Sequence, residues 1–380
     1  MTETTTKTAT VAHANGPAQG QGSQDVLSEV RGQVGFITLN RPKALNALSL
    51  GMVRELMRTL LAWQHDEQVL AVAIRGTGKA GPFGAFCAGG DIRFLHQAGS
   101  QGNPQIEDFF TEEYALNHLI HHYGKPYIAF MDGIVMGGGM GISQGASLRI
   151  VTEHTKMAMP ETAIGLFPDV GGGYFLSRCS GRIGEWLALT GNTIGADDAM
   201  AAGLADGKLA SDQQPHIWDA LGTQSFADGA AVQQWVASKM IAASAYGISA
   251  RGQIDQYFSL ADIPAIITAL EAADDDWCRS TAETLRKRSP LMLHVVLQQI
   301  RLARDLDLAD DLRMERDLVR NCFFLRPGQS ETLEGIRALA VDKDHAPRWN
   351  PARIEDVSPD LVNAFFHSPW PSHAHPLAGL

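Results

Sequence analysis

Short β-type apolar runs and helical periods take turns along the first half of this chain, and that alternation restricts the fold more than any other feature. "VLSEV" and "VGFITL" are strand-like runs separated by Arg31-Gly32. A helical period follows over 49 to 65, with Val53, Leu56, Met57, Leu60 and Leu61 at helical spacing, and "VLAVAIRG" (69 to 76) has the makeup of a buried strand ending in a Gly-rich loop. A second round repeats the shapes. A loop leads to a helix opening near Asp91, a helix covers 106 to 122, and "PYIAFMDG" (126 to 133) is a strand; "GGGMGISQGASLRI" then turns through a helix into a strand near 148 to 152. Repeated strand-to-helix turns predict an α/β fold.

From about residue 211 the pattern changes. "IWDALGTQ", "AAVQQWVASKMIAA", "PAIITALEAADDDWCRSTAETLRKR" and "LMLHVVLQQIRLARDL" are all helical periods, so a helical region is expected over 211–380, behind a core over 25–210. Residues 1–24 are rich in Thr, Ala, Gly and Gln with almost nothing large to bury, which predicts a disordered tail. Lys7 is its only Lys or Arg and Glu3 is an acid, unlike an Arg-rich transit peptide, and no secretory apolar run is present.

Composition narrows the function. At 380 residues, 45% hydrophobic and 19% charged, the chain can build a large core of about two domain-sized units, and no apolar run approaches the roughly 20 residues of a membrane span. A net charge of −11 without a dense basic run argues against nucleic acid as a partner. Cys87, Cys179, Cys278 and Cys322 lie far apart with no CxxC pair, the pattern of buried thiols in a reducing compartment, and a cytoplasmic location is expected.

Several motifs fail on inspection. His118 and His122 have the i, i+4 spacing of a helical zinc pair, but Leu119 stands where a metalloprotease needs Glu and no third ligand is evident; no metal is expected. His373 and His375 in "SHAHP" read as a frayed, solvated tail, and Asp274-Asp275-Asp276 as a helix start or solvated face. "GTGKAG" (76 to 81) lacks the first Gly and the Ser/Thr of a P-loop, and Ile142 breaks the dinucleotide fingerprint in "GGGMGI". "GISQG" (141 to 145) matches a nucleophile elbow in form, yet Ser143 falls well inside a helix rather than on the turn after a strand.

The glycine runs "CAGGD" (87 to 91) and "MGGGMG" (136 to 141) are more informative. A Gly-rich turn feeding a helix exposes N–H groups without intrahelical partners, open to an approaching oxyanion, although either run could equally be a tight packed turn. Further on, "MPETAIGLFPDVGGG" (159 to 173) sets Glu161 and Asp169 eight positions apart in a stretch that otherwise reads as core and turn. Taken alone, Glu161 could be a charge at a helix start and Asp169 a helix cap.

"LNRPKALNAL", "FCAGGDIR", "GIVMGGGMGIS" and "MPETAIGLFPDVGGGYFL", in this order and at these intervals, resemble the crotonase (enoyl-CoA hydratase/isomerase) superfamily; the last closely resembles its 3-hydroxyisobutyryl-CoA hydrolase branch. The likeness is strong over about 25 to 210 and continues more weakly to "LEGIRALAVDKDHAPRWNP" (333 to 351). It implies a crotonase-like spiral of ββα turns followed by a helical C-terminal region. It also implies an acyl-CoA substrate, with coenzyme A as part of that substrate rather than a retained cofactor. The backbone N–H groups of Gly90 and Gly138 would hold the thioester oxygen. Hydratases of the superfamily place one catalytic Glu shortly after the Gly run and another in the "PE" motif; here the first position is Gly141, Glu161 alone remains, and Asp169 stands where the hydrolase branch has its second acid.

The resemblance thus points to hydrolysis of a short 3-hydroxyacyl-CoA, such as 3-hydroxyisobutyryl-CoA, in valine degradation. Glu161 would be the base or the nucleophile, with Asp169 as its acid partner and contact for the substrate hydroxyl. Glu113, in "FFTEEYALN", matches a further substrate-site carboxylate, and Arg41 and Lys43 in "NRPK" are expected contacts for the CoA phosphates. The alternatives are a hydratase or isomerase of the same fold and a non-catalytic acyl-CoA-binding protein. A homo-oligomer is left open. One departure, "FFLRPGQSET" ahead of "LEGIRA", implies a different C-terminal wall for the acyl pocket.

Overall fold

The structure is a computed structural model that describes residues 24–241 and 247–380, so the tail read over 1–24 lies, except for Gln24, outside the described residues. Strands β1 (Val26–Arg31) and β2 (Val34–Leu39) form an antiparallel hairpin in which Val26 faces Leu39. Gly32 turns it at φ 58, a conformation that costs glycine nothing. Helix α1 (Leu50–Gln64) then carries the chain over to β3 (Ala71–Gly78), parallel to β2. The Ser49 hydroxyl caps that helix by accepting from the Met52 N–H, while Met52, Val53, Leu56 and Leu60 are buried along one face.

After the short β4 (Gly81–Pro82), α2 (Ile92–Gln101) and α3 (Gln105–His121) lead to β5 (Tyr127–Met131), and β6 (Ile134–Met136) feeds α4 (Gly138–Gln144). β7 (Leu148–Val151), β8 (Lys156–Ala158), α5 (Gly172–Ser177), α6 (Ile183–Thr190), α7 (Ala196–Ala201) and β9 (Gly207–Lys208) follow. The main sheet has the order β1-β2-β3-β5-β7-β9, parallel except for β1, with β4 folded back on β3. Strand β5 is buried along its whole length, as strands covered on both faces must be. A second, two-stranded sheet pairs β6 with β8. Three-residue strands are too short to show alternation, which is why the sequence reading passed over both.

Beyond β9 the described residues form helices and turns: α8 (Gln214–Leu221), α9 (Gly229–Ala237), α10 (Arg251–Phe258), α11 (Ile263–Ala272), α12 (Asp276–Arg286), α13 (Pro290–Leu302), α14 (Leu308–Phe324), α15 (Glu331–Ile336) and α16 (Pro359–Phe365). Asp275 caps α12 through the Cys278 N–H, so the acidic run is a helix start. One apolar cluster runs from Val26 to Leu377 and joins these helices to the strand-bearing half. Where they meet, α14 lies on α3, with the fully buried Arg316 bound to the Glu107 carboxylate and the Thr111 hydroxyl.

In the C-terminal "SHAHP" His373 is exposed as expected, but His375 corrects the frayed-tail expectation. The His375 side chain is 7% exposed, 3.4 Å from Asp317, and Arg313 donates to the carbonyls of Leu377 and Leu380. Leu377 is buried and Trp370 lies over the Arg316 and Arg320 guanidinium groups, so apolar and cation–π contacts fasten the last turn to α14.

Candidate active site

The first glycine turn is braced from the N-terminal loop. Asn46, fully buried, donates its amide to the carbonyls of Thr77, Ala85 and Phe86 and accepts from the Arg41 N–H. The Arg41 guanidinium bonds Asp91 Oδ2 at 2.8 Å and the Ala47 carbonyl at 2.9 Å, while Asp91 Oδ1 caps α2. Within the same turn, the Leu48 N–H reaches Gly89 O and the Asp91 N–H reaches Leu48 O, leaving the Gly90 N–H between them.

The second glycine turn faces the first. Gly138 is the first residue of α4, so its N–H precedes any intrahelical acceptor. An added Cβ on Gly138 would lie 3.4 Å from the Gly90 nitrogen and 2.6 Å from Glu113 Oε1; one on Gly137 would lie 2.9 Å from Glu161 Oε1. The run is therefore glycine because two carboxyl groups crowd it. The β6–β8 sheet brings Glu161 there, since it aligns the strand entering α4 with the strand that leads into "PE".

Gly90, Gly138, Glu113, Glu161 and Asp169 all line one cavity of about 210 Å³. Its other walls are apolar: Leu95, Phe109, Phe110, Ile164, Leu166 and, from the turn after α15, Leu339. Leu339 is the C-terminal contribution to that wall. Glu113, Glu161 and Asp169 are 2%, 6% and 6% exposed, so Glu113 is no surface acid. The Tyr114 hydroxyl donates to Asp169 Oδ2 at 2.9 Å, whereas Glu113 Oε1 and Glu161 Oε2 have no protein partner.

Electrostatics separate the three acids. Burial raises Asp169 to about 6, opposed by the Tyr114 hydrogen bond. Burial first, and then the Asp169 charge, hold Glu161 and Glu113 well above the usual carboxylate range. Asp169 is thus the preferred home of negative charge, and the protonated forms of Glu113 and Glu161 are favoured.

Arg41 and Lys43 are not brought into this cavity. Arg41 bonds Asp91 and Ala47 with its side chain still partly exposed, and Lys43 sits in a single 3₁₀ turn, Pro42–Ala44. Arg93, His96 and Lys343 instead line a neighbouring pocket beside α2. Ser143 is fully buried and donates its hydroxyl to the Gly139 and Met140 carbonyls of its own helix, the fate of a mid-helix serine. His122 Nδ1 faces His118 O at 3.1 Å, and among the described residues no three His, Cys, Asp or Glu side chains are grouped to hold a metal. All four cysteines are buried thiols.

The sequence pattern of the enoyl-CoA hydratase/isomerase family matches residues 34–366. The chain belongs to that family. Within it, this member is 39% identical over 349 residues to the 3-hydroxyisobutyryl-CoA hydrolase, mitochondrial, of Gallus gallus, covering 90% of this chain and 88% of that protein. Its identity to the protein of the same name from Xenopus tropicalis is 40% over 343 residues, covering 89% and 87%. A carnitinyl-CoA dehydratase from Mycobacterium thermoresistibile superposes with a TM-score of 0.84 at 37% identity, covering 92% of this chain and 98% of that one. An enoyl-CoA hydratase from Rhodobacter sphaeroides superposes at 0.80 and 36%, covering 91% and 98%. These likenesses make the spiral of ββα turns followed by helices the architecture of this chain.

Proposed function

We propose that this protein hydrolyses a short 3-hydroxyacyl-CoA thioester, 3-hydroxyisobutyryl-CoA or a close analogue, to the free hydroxy acid and CoA, as a step of valine degradation. The observation that carries the reading is the placement of Glu161 beside the Gly137-Gly138 turn, facing Gly90, with Asp169 held on Tyr114 in the same apolar cavity. In this reading the N–H groups of Gly90 and Gly138 take the thioester oxygen as negative charge develops on it. Glu161, once ionised, removes a proton from water or attacks the carbonyl itself. Its raised affinity for protons makes its carboxylate a stronger base than a surface glutamate. Asp169 accepts the 3-hydroxyl and Glu113 lines the acyl side.

The hydratase reading has in its favour that the two solved relatives are named a carnitinyl-CoA dehydratase and an enoyl-CoA hydratase. The resemblance to the superfamily's hydratases calls for a second Glu after the Gly run, where this chain has Gly141. At Gly141 an added Cβ would lie 2.6 Å from the Val170 Cβ, so the wall is closed there. No retained cofactor belongs to the proposal, CoA entering with the substrate. The curated relatives are named as mitochondrial; the cytoplasmic placement of this chain rests on its sequence alone and is tested by cell fractionation. No described helix is long and apolar enough to cross a membrane. The activity itself is tested by thiol release from 3-hydroxyisobutyryl-, isobutyryl- and crotonyl-CoA, with and without chelator. The first should be turned over fastest and chelator should change nothing; hydration of crotonyl-CoA at a comparable rate would move the protein to the hydratase class.

A further inference from the structure

Asp169 stands next to a strained stretch of backbone. Val170 adopts φ 60, an outlier for a β-branched residue, and Gly171 follows at φ 83. Such a turn persists only where its surroundings over-determine it, and here they come from helices 131 to 144 residues further along the chain. Ahead of Asp169, Gln299 Nε2 donates to the Pro168 carbonyl at 2.7 Å. Behind it, the Gly171 and Gly173 N–H groups donate to Glu315 Oε2 and Oε1 at 2.7 and 2.8 Å, and the Tyr174 N–H donates to Asp311 Oδ2 at 2.9 Å. Gln299 Nε2 also reaches Glu315 Oε1 at 3.2 Å, closing the bracket.

Gln299, Asp311 and Glu315 are fully buried, and the two carboxyl groups lie side by side one turn apart on α14. Burying such a pair is costly. Glu315 offers an oxygen to each of two N–H groups, and even with its proton held by burial and the neighbouring Asp311 charge both oxygens keep lone pairs to accept with; an amide would turn its NH₂ against one of them. None of these three residues touches the acyl cavity, so their purchase on the reaction runs through the turn they hold.

We propose that Glu315, seconded by Gln299, is a positioning residue for Asp169. It fixes the turn at 171–173 so that the Asp169 carboxylate stays on the Tyr114 hydroxyl and faces the substrate's 3-hydroxyl. The inference rests on the proposed role of Asp169 in recognising that group.

The test compares kcat/KM on 3-hydroxyisobutyryl-CoA and isobutyryl-CoA for Glu315→Gln and Gln299→Met, each alone and combined with Asp169→Asn. Glu315→Gln should lower the hydroxylated substrate ~10- to 10²-fold and the plain one much less, and should cost nothing further once Asp169 is Asn. Equal losses on both substrates that add to those of Asp169→Asn would reduce Glu315 to a general support of the fold. If Glu315→Gln does not fold, Gln299→Met, which releases Pro168 but leaves the acid pair in place, carries the same comparison. A crystal structure of the folded variant decides the matter independently of activity: Asp169 withdrawn from Tyr114 supports the clamp, and an unchanged contact overturns it. A wild-type protein releasing no CoA from either thioester would defeat the functional reading, and that crystal structure would still judge the clamp.

Discussion

Three carboxyl groups around one buried cavity divide charge unequally, and the division sets the pH dependence. Asp169, raised to about 6 and held by Tyr114, ionises ahead of Glu161, whose proton is retained by burial and by the Asp169 charge. If Glu161 works as the carboxylate, as proposed, kcat/KM should rise with pH along a limb placed above the ordinary carboxylate range. In Asp169→Asn the repelling charge is gone, so on isobutyryl-CoA that limb should move to lower pH; a limb that stays put would show that the titrating group is not Glu161 beside Asp169. The same variant should lose more on 3-hydroxyisobutyryl-CoA than on isobutyryl-CoA, by the ~1.5–3 kcal/mol of a hydrogen bond to a charged group. Equal fractional losses would assign Asp169 to the chemical step or the fold.

At the scale of elements, α4 supplies both the proposed donor, Gly138, and a decoy, Ser143. Gly138→Ala leaves the N–H in place but drives a Cβ to 2.6 Å from Glu113 Oε1, so thioester turnover should fall at least ~10-fold while thermal unfolding stays close to wild type. Ser143→Ala, which only frees two helix carbonyls from a side-chain contact, should keep most activity. Stoichiometric labelling of Ser143 by a fluorophosphonate would contradict the fold. These local features were legible because glycine runs, caps and apolar periods are written in adjacent residues: Asp91 before α2, Gly137-Gly138 at the start of α4, the buried face of α1. Contacts between distant segments were not. Nothing adjacent to Tyr114 marks it as the partner of Asp169, and Asp311 and Glu315 read as ordinary acids on a helix until α14 is seen to pack against the turn at 171–173. Arg41 was read from sequence as a phosphate contact, and its bond to Asp91, which braces the first glycine turn, could not be read from adjacent residues.

For the whole molecule, the helical half is a strap that closes over the turn that carries Asp169 as well as a cover for the sheet. Its buried acids leave a signature in stability. Asp311 is raised by burial from 3.8 to about 7, so the folded state binds that proton more tightly than the unfolded chain; the resulting stability is fully present below about 4 and is lost as pH rises through about 7. Raising the pH from 5 to 8 should therefore lower the melting temperature more in wild type than in Asp311→Asn, and parallel pH profiles for the two proteins would show that Asp311 titrates alike in both states. The claim on which everything else depends is that Glu161 does the chemistry of thioester hydrolysis, and it is tested most directly by steady-state CoA release from 3-hydroxyisobutyryl-CoA in wild type and Glu161→Gln, with CoA affinity measured on both. Glutamine keeps the size of the side chain and removes both base and nucleophile, so kcat should fall ~10²–10⁴-fold with CoA affinity unchanged; full activity in Glu161→Gln would contradict the account.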